Sequence, residues 1–319
     1  MKKIGFLKPK KENEKRIALL PDEVKKIKNA GHLFFEADYG KDLNFSDADY
    51  TSAGATVCDR KDIFSADIIC DFKMPLIEDF QFIPEHTVLF GWVHAVQGRK
   101  ITDAIVNRKL TAIAWEDMFD NGRHVFWRNN EIAGEAAVIH CLPFISRSPY
   151  KMKVAVIGRG NCAVGAIRAL ERLGAEVTVY NRKTVGNLRN EIGRYDIVVN
   201  AVLWDVFRSD HLVYKEDLKK MKKGSAIIDI SCDEAMGIES SIPTTIEKPV
   251  YFTEGILHYA VDHTPSLFFK SASESISEAV SFFCDDLIEG NANRILQDAT
   301  IIRDGNILDS RIIRFQKRQ

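Results

Sequence analysis

Apolar positions along this chain fall into short β-branched or aromatic runs, separated by segments of helical spacing. KIGFL predicts a short buried strand, closed by charge and by Pro9. PDEVKKIKNAG predicts a helix stopped by Gly31, LFFEADYG a strand, and SDADYTSAGA a helix begun by Ser46 as N-cap. ADIICDFK and TVLFGWVH are further strands, ITDAIVNRKL is a helix, and TAIAWE is another strand. Strands alternating with helices in this way predict a parallel α/β sheet.

EIAGEAAVIHCLPF reads as a long apolar helix leading out of the first domain, after which the pattern restarts near Lys153. KVAVIGRGNCAVGAIRALERLGAEVTVYNRKT is a strand, a glycine turn, a helix and a second strand. DIVVNAVL, a helix around LKKMK, and SAIIDIS come next. PVYFTEGI and AVDHTPS then lead into SASESISEAVSFFCDDLIEG, an amphipathic helix that packs back on the first domain and makes it discontinuous. The expected architecture is α/β, with two Rossmann-like domains, mainly parallel sheets and a substrate cleft between them. Residues 1–135 and 265–319 make the substrate (catalytic) domain, and residues 136–264 make the nucleotide-binding domain.

A chain of 319 residues is long enough for two such cores. Its formal net charge of −1 gives no global field for nucleic acid or an anionic membrane. The lysine clusters at 8–15 and 215–223 are interleaved with acidic residues and read as solvated faces. Six cysteines form no CxxC pair, and several lie inside apolar runs, so a reduced, cytoplasmic protein is expected. The opening MKKIGFLKPKK has too short an apolar run for a signal h-region or a membrane span.

The glycine turn is the first chemical signal. Gly158-Arg159-Gly160-Asn161-Cys162-Ala163 lies directly between a β-branched run and a helical pattern. Gly158 permits the tight turn, Gly160 lets the backbone approach a pyrophosphate, and Ala163 replaces the third glycine for helix packing. Amides at the helix start then face the phosphate charge. The strand EVTVY ends in Asn181-Arg182-Lys183, where an acidic side chain would otherwise accept from the adenosine ribose. Asn181 removes the repulsion of a 2′-phosphate, and Arg182, with Lys183 or Arg159, pairs with that dianion. The expected cofactor is NADP(H), although Asn181 also suits a bare ribose. Ala201, Val202 and Leu203, at the end of DIVVNAVL, complete the expected cofactor set.

Candidate chemistry elsewhere sits just past strand ends, the usual place for sites in parallel sheets. Arg16 follows the first strand, Lys73 ends IICDFK and His94 ends VLFGWVH. Each alone resembles a solvated loop residue. Together they supply cations for a substrate carboxylate and an imidazole for proton transfer. Asp229 and Asp233 flank ISC after a buried strand, near the expected nicotinamide, and Asp262-His263 stands where the chain crosses back. No metal site is expected, because nothing at suitable spacing completes a shell around His258, Asp262 and His263.

These residues bring a resemblance into view. EKRIALLP, DFKMP, GWVHA, EIAGEAA, the glycine turn and DISCDEAMGIESSIPTT, in this order, resemble the alanine dehydrogenase superfamily over most of the chain. WEDMF, HVFWRNNEIAGEAAV, VIGRGN and VDHTPSL are most similar to its N5-(carboxyethyl)ornithine synthase branch. The resemblance implies that Arg16 and Lys73 hold a keto-acid carboxylate, that His94 is the acid–base group, and that Asp233 stands beside the nicotinamide and amine. Asp262-His263 looks like the DHxPS stretch of lysine-forming saccharopine dehydrogenase, so both are expected to bind substrate. Arg128, Asn130 and Glu131 are candidates for the distal amino-acid head group.

The chain departs from alanine dehydrogenase in being shorter, in Glu234-Ala235 where glycines normally follow, and in its Asn-Arg-Lys strand end. The implied function is NADPH-dependent reductive condensation of pyruvate with the side-chain amine of ornithine or lysine, in a homo-oligomer (dimer or tetramer). The alternatives are an alanine dehydrogenase, a saccharopine-type dehydrogenase, or a non-catalytic NADPH-sensing protein.

Overall fold

The computed structural model describes residues 1–318. The chain divides into two compact units, Met1–Phe126 joined by Phe269–Gln319, and Trp127–Phe268. Both are α/β with mainly parallel sheets.

The first unit opens with strands β1 (Ile4–Leu7), β2 (Leu33–Glu36), β3 (Thr56–Cys58), β4 (Ile68–Asp71), β5 (Val88–Gly91) and β6 (Thr111–Ala114), which pair in parallel. β1 and β4 are buried at every position, as strands covered on both faces must be. Helices α1 (Pro21–Val24), α2 (Asp47–Ser52), α3 (Arg60–Ile63) and α4 (Arg99–Asn107) lie between the strands, and β7 (Phe119–Asp120) with β8 (Arg123–His124) forms a small hairpin. α2 follows Ser46 as expected, with the Asp49 carboxylate accepting the Ser46 N–H at 2.6 Å. α1 is one turn, not the longer helix expected up to Gly31. The amides of Lys28 and Asn29 donate to the Asp285 carboxylate at 3.1 and 3.0 Å, which draws that backbone out of helical pairing.

The second unit begins with the 19-residue helix α5 (Trp127–Ile145). Strand β9 (Lys153–Ile157), helix α6 (Asn161–Arg172) and strand β10 (Glu176–Tyr180) form the expected unit around the glycine turn. α7 (Val185–Glu191), β11 (Ile197–Asn200), β12 (Ala226–Asp229), β13 (Val250–Thr253) and β14 (Ile256–Tyr259) complete it, in the order β10-β9-β11-β12-β14-β13. Only β13 runs antiparallel. The helix expected around LKKMK is instead a 3-10 segment, Lys215–Lys220. Buried Asp217 ties it down, accepting from Tyr214 N–H at 3.1 Å and Lys220 Nζ at 2.7 Å.

The chain then returns to the first unit through α8 (Phe269–Glu289), whose buried face runs through Ala272, Ile276, Val280, Phe283 and Leu287. Beyond it lie elements that the hydrophobic pattern alone does not predict, namely α9 (Arg294–Asp298), β15 (Thr300–Arg303), β16 (Asn306–Ile307) and α10 (Ser310–Gln316). β15 pairs antiparallel with β6, giving the eight-strand order β16-β15-β6-β5-β4-β1-β2-β3. Asp304-Gly305 makes the β15–β16 turn with both residues at positive φ, a hairpin signal legible in the sequence. No helix among the described residues is long and apolar enough to cross a membrane.

Candidate active site

In the first unit, β1 lies between β2 and β4, so the strand order reverses at the β1/β4 boundary. Ligands of open α/β sheets bind beyond the strand carboxyl ends at such a point. Arg16 follows β1, Lys73 follows β4, and His94 follows β5, the next strand along. Three separate stretches of sequence thus reach one end of one sheet.

Arg16 is almost fully buried and is gripped by a residue that sequence reasoning missed. The Glu14 carboxylate accepts from Arg16 Nε at 2.7 Å, from Nη2 at 2.6 Å and from the backbone N–H at 3.1 Å. On its other side the guanidinium lies 4.3 Å from the Phe72 ring centroid. Burial alone would raise the Glu14 carboxyl, but Arg16 and then Lys73 outweigh it and hold the group below the usual glutamate range. Glu14, Arg16 and Lys73 therefore share one electrostatic site, whose two cations suit a substrate carboxylate. The spacing Glu-x-Arg in ENEKR was the available signal.

Phe72 begins an aromatic floor. Its centroid is 4.9 Å from that of Trp92, which is 4.9 Å from Trp115, which stacks on Phe126 at 4.6 Å. Lys73 donates its backbone N–H to buried Asp71 at 3.2 Å. His94 is exposed, with its backbone in the left-handed region at φ 49°. Half-buried Glu116 accepts the N–H groups of Val93 and His94 at 3.1 and 2.5 Å. Burial pushes the Glu116 carboxyl up to about 7.

In the second unit, Gly158 has φ 118°, and a Cβ there would stand 2.9 Å from the Ala201 carbonyl oxygen. Gly160 is the N-cap of α6, and a Cβ on it would meet nothing within 4 Å, so the space before the helix is open. Ala163 is fully buried. The start of α6 is fixed by close backbone contact with α5. A Cβ on Gly165 would lie 1.9 Å from the Glu131 oxygen, and one on Gly134 1.9 Å from the Cys162 oxygen. EIAGEAA is therefore a packing surface for the nucleotide turn. Cys162, half-buried in the turn, has its thiol pushed up to about 11 by burial and is not a ready nucleophile.

At the end of β10 the Asn181 side chain is occupied locally, its oxygen accepting the Lys183 N–H at 2.8 Å. Its backbone N–H donates to Thr184 Oγ1 at 3.0 Å. Arg182, Lys183 and Arg159 are exposed. Asn200, another residue missed from sequence, ends β11; it donates to Asp229 at 2.9 Å and accepts the Val202 N–H at 3.3 Å. It thereby braces Ala201–Leu203, of which Leu203 is 94% exposed. Open space, a helix N-terminus and a cationic strand end form a donor set that fits a nicotinamide dinucleotide.

Asp229 is buried, and burial raises its carboxyl. Asp233 is pushed up to about 6, first by burial and then by the charges of Asp229 and Asp262. The His263 side chain is 7% exposed, with Nδ1 3.6 Å from Asp262 Oδ2. Asp229, Asp233, Asp262 and His263 are thus close neighbours in one unit. His258 is instead a buried structural residue, bonded to Ser240 Oγ at 2.7 Å and the Ile256 oxygen at 3.0 Å. Arg128 bridges Glu131 and Glu135, each at 2.9 Å, and Arg168 reaches the same pair at 3.0 and 3.2 Å. That ion network between α5 and α6 occupies Arg128 and Glu131.

Residues 5–131 match the alanine dehydrogenase/PNT N-terminal domain and residues 181–314 its C-terminal domain. The N(5)-(carboxyethyl)ornithine synthase of Clostridium botulinum is 31% identical over 296 residues, covering 88% of this chain and 92% of that protein. That of Lactococcus lactis is 27% identical over 88% of this chain and 94% of that protein. An alanine dehydrogenase of Staphylococcus epidermidis is 29% identical, over 87% of this chain and 85% of that protein. Among solved structures, an L-alanine dehydrogenase superposes with a TM-score of 0.87 at 23% identity, covering 99% of each chain. A transhydrogenase from Sinorhizobium meliloti gives 0.80 at 22% identity, covering 96% of this chain and 98% of that one. These two show the fold. The chain belongs to the alanine dehydrogenase/PNT family and is an oxidoreductase acting on amino acids with a nicotinamide cofactor.

Proposed function

We propose that this protein joins pyruvate to the side-chain amine of ornithine, or of lysine, by NADPH-dependent reductive condensation. The products are N5-(1-carboxyethyl)ornithine and N6-(1-carboxyethyl)lysine. The observation that carries this reading is the grouping of Glu14, Arg16 and Lys73 at the reversal point of the first sheet, with His94 on the neighbouring strand end. The 31% identity to a carboxyethylornithine synthase supports the choice of amine.

Arg16 and Lys73 bind the keto-acid carboxylate, with Glu14 holding the guanidinium in place. The neutral amine attacks the keto carbon. His94 carries the two N–H protons of the amine in turn to the keto oxygen, the first forming the carbinolamine hydroxyl and the second releasing it as water, so an imine forms with no net change in protons. We assign Asp233, its carboxyl lifted to about 6, to proton exchange with the amine near neutrality. Asp262 and His263 bind the amino-acid substrate.

Gly158–Ala163, Asn181, Arg182, Lys183 and Ala201–Leu203 hold NADPH, with Arg182, Lys183 and Arg159 toward the 2′-phosphate. When bound, this cofactor would supply the hydride equivalent that, with a proton from Asp233 on the nitrogen, converts the C=N bond to a secondary amine. The missing carboxylate at the β10 end supports NADPH over NADH, because the Asn181 oxygen is engaged with the Lys183 amide. A second reading, alanine dehydrogenase, shares the Arg-Lys-His set and has the 29% relative behind it. Product identification separates them. Incubation with pyruvate, ornithine and NADPH should yield a single carboxyethyl adduct of ornithine by mass spectrometry. Alanine from pyruvate and ammonia, with no adduct, would overturn the proposal.

A further inference from the structure

The loop that carries His94 is held from both sides of its backbone, and one support comes from the far end of the chain. On one side, the Glu116 carboxylate accepts the Val93 and His94 amides. On the other, the carbonyls beyond His94 are taken by α10. Gln316 is 6% exposed, and its Nε2 donates to the Ala95 oxygen at 2.7 Å and the Val96 oxygen at 3.1 Å. Fully buried Thr102, at the start of α4, donates its hydroxyl to the same Ala95 oxygen at 2.9 Å and lies 3.1 Å from Gln316 Nε2.

Gln316 is itself fixed. Arg99 Nη1 donates to its carbonyl oxygen at 3.0 Å, and Arg318 Nε to its Oε1 at 2.6 Å, while Arg318 Nη2 pairs with Asp103 at 2.5 Å. A glutamine amide group carries a pair of N–H donors, and here they are shared among the Ala95 and Val96 oxygens and Thr102 Oγ1. His94 holds φ 49°, a conformation that costs a non-glycine residue free energy and persists only where surroundings over-determine it. General-base catalysis depends on placement, and a displacement of about 1 Å costs on the order of 10²-fold in rate.

We propose that Gln316 and Glu116 are positioning residues for His94, clamping residues 93–96 from the acceptor and donor sides so that the imidazole stays where proton transfer needs it. This rests on His94 being the acid–base group of the reaction proposed above.

The test is a double-mutant cycle between Gln316→Met and His94→Ala in the full chain. Initial rates are followed by NADPH oxidation with pyruvate and ornithine, and NADPH binding by titration. In the wild-type background Gln316→Met should lower kcat by about 10- to 100-fold, with NADPH affinity within about twofold of wild type. In the His94→Ala background the same substitution should change the residual rate by less than about twofold, because there is no imidazole left to misplace. Equal losses in both backgrounds would show a general structural role and overturn the proposal. An unchanged rate for His94→Ala alone would instead bring down the acid–base assignment. Should Gln316→Met fold poorly, Thr102→Val removes one donor to the Ala95 oxygen. Amide exchange of the 93–98 peptide should then rise while β4 and β5 keep their protection; unchanged exchange would equally refute the clamp.

Discussion

Substituting Glu14 by Gln leaves the Arg16 guanidinium buried without its counter-charge. The wild-type pair makes three contacts of 2.6 to 3.1 Å, and the Arg16 side chain is 3% exposed and that of Glu14 0%. Removing one partner of a buried ion pair costs about 3–5 kcal/mol, since the remaining charge keeps its desolvation penalty. Removing both charges leaves no unpaired buried ion and costs less. Urea unfolding of Glu14→Gln, Arg16→Met and the double variant, followed by tryptophan fluorescence, should therefore give a coupling of roughly 2 kcal/mol or more. Trp92 and Trp115 lie beside Phe72, under Arg16, and report on this region. The pH dependence has a definite sign. Glu14 titrates below its ordinary 4.5 in the folded protein, so its contribution is complete above that value and is lost as pH falls through the lowered one. A coupling below about 0.5 kcal/mol at pH 7 would refute the buried-pair argument.

Arg182→Ala should weaken NADPH by roughly tenfold while leaving NADH nearly unchanged, the low end for a charge-assisted contact because Arg182 is exposed. Equal losses in titrations of the two nucleotides would remove Arg182 as the discriminating residue. Gly165→Ala should destabilise the second unit by about 1–3 kcal/mol and weaken both nucleotides, since its Cβ would stand 1.9 Å from the Glu131 oxygen and force α5 from α6; normal nucleotide affinity would show that helix contact to be dispensable. Between pH 4.5 and about 7 the folded chain keeps a proton on Glu116 that the unfolded chain has released, so stability falls as pH rises through that window. Glu116→Gln should make this decline shallower by up to ~1.4 kcal/mol per pH unit, measured by unfolding at fixed pH values.

The glycine turn was legible because strand, turn and helix are contiguous, and a local pattern fixes a local structure. Arg16, Lys73 and His94 were readable as strand-end residues. Their shared sheet end is a matter of strand order, β5-β4-β1, which no local pattern states. Glu14 escaped notice because a glutamate in a polar stretch is ordinarily a solvated one, and Glu116 because a glutamate just past a strand end is too. Only the folded backbone shows that Arg16 and the His94 amides close over them. Gln316 lay further out of reach, the Ala95 and Val96 oxygens it bonds being more than two hundred residues away in sequence. The C-terminal hairpin, by contrast, carried a usable signal in Asp304-Gly305, between runs too short for hydrophobic periodicity to register.

Amine choice separates this proposed chemistry most directly from that of an alanine dehydrogenase. A diamino acid brings an α-ammonium and a carboxylate that bind away from the reacting carbon, and that binding energy positions the side-chain amine and speeds the chemical step. Ammonia has no such handle, and putrescine lacks the α-carboxylate. Initial rates of NADPH oxidation should be measured with pyruvate and each amine in turn. Ornithine or lysine at millimolar concentration should outpace ammonia at far higher concentration, with putrescine slow. Faster turnover with ammonia, with alanine as the product, would contradict the proposed synthase activity.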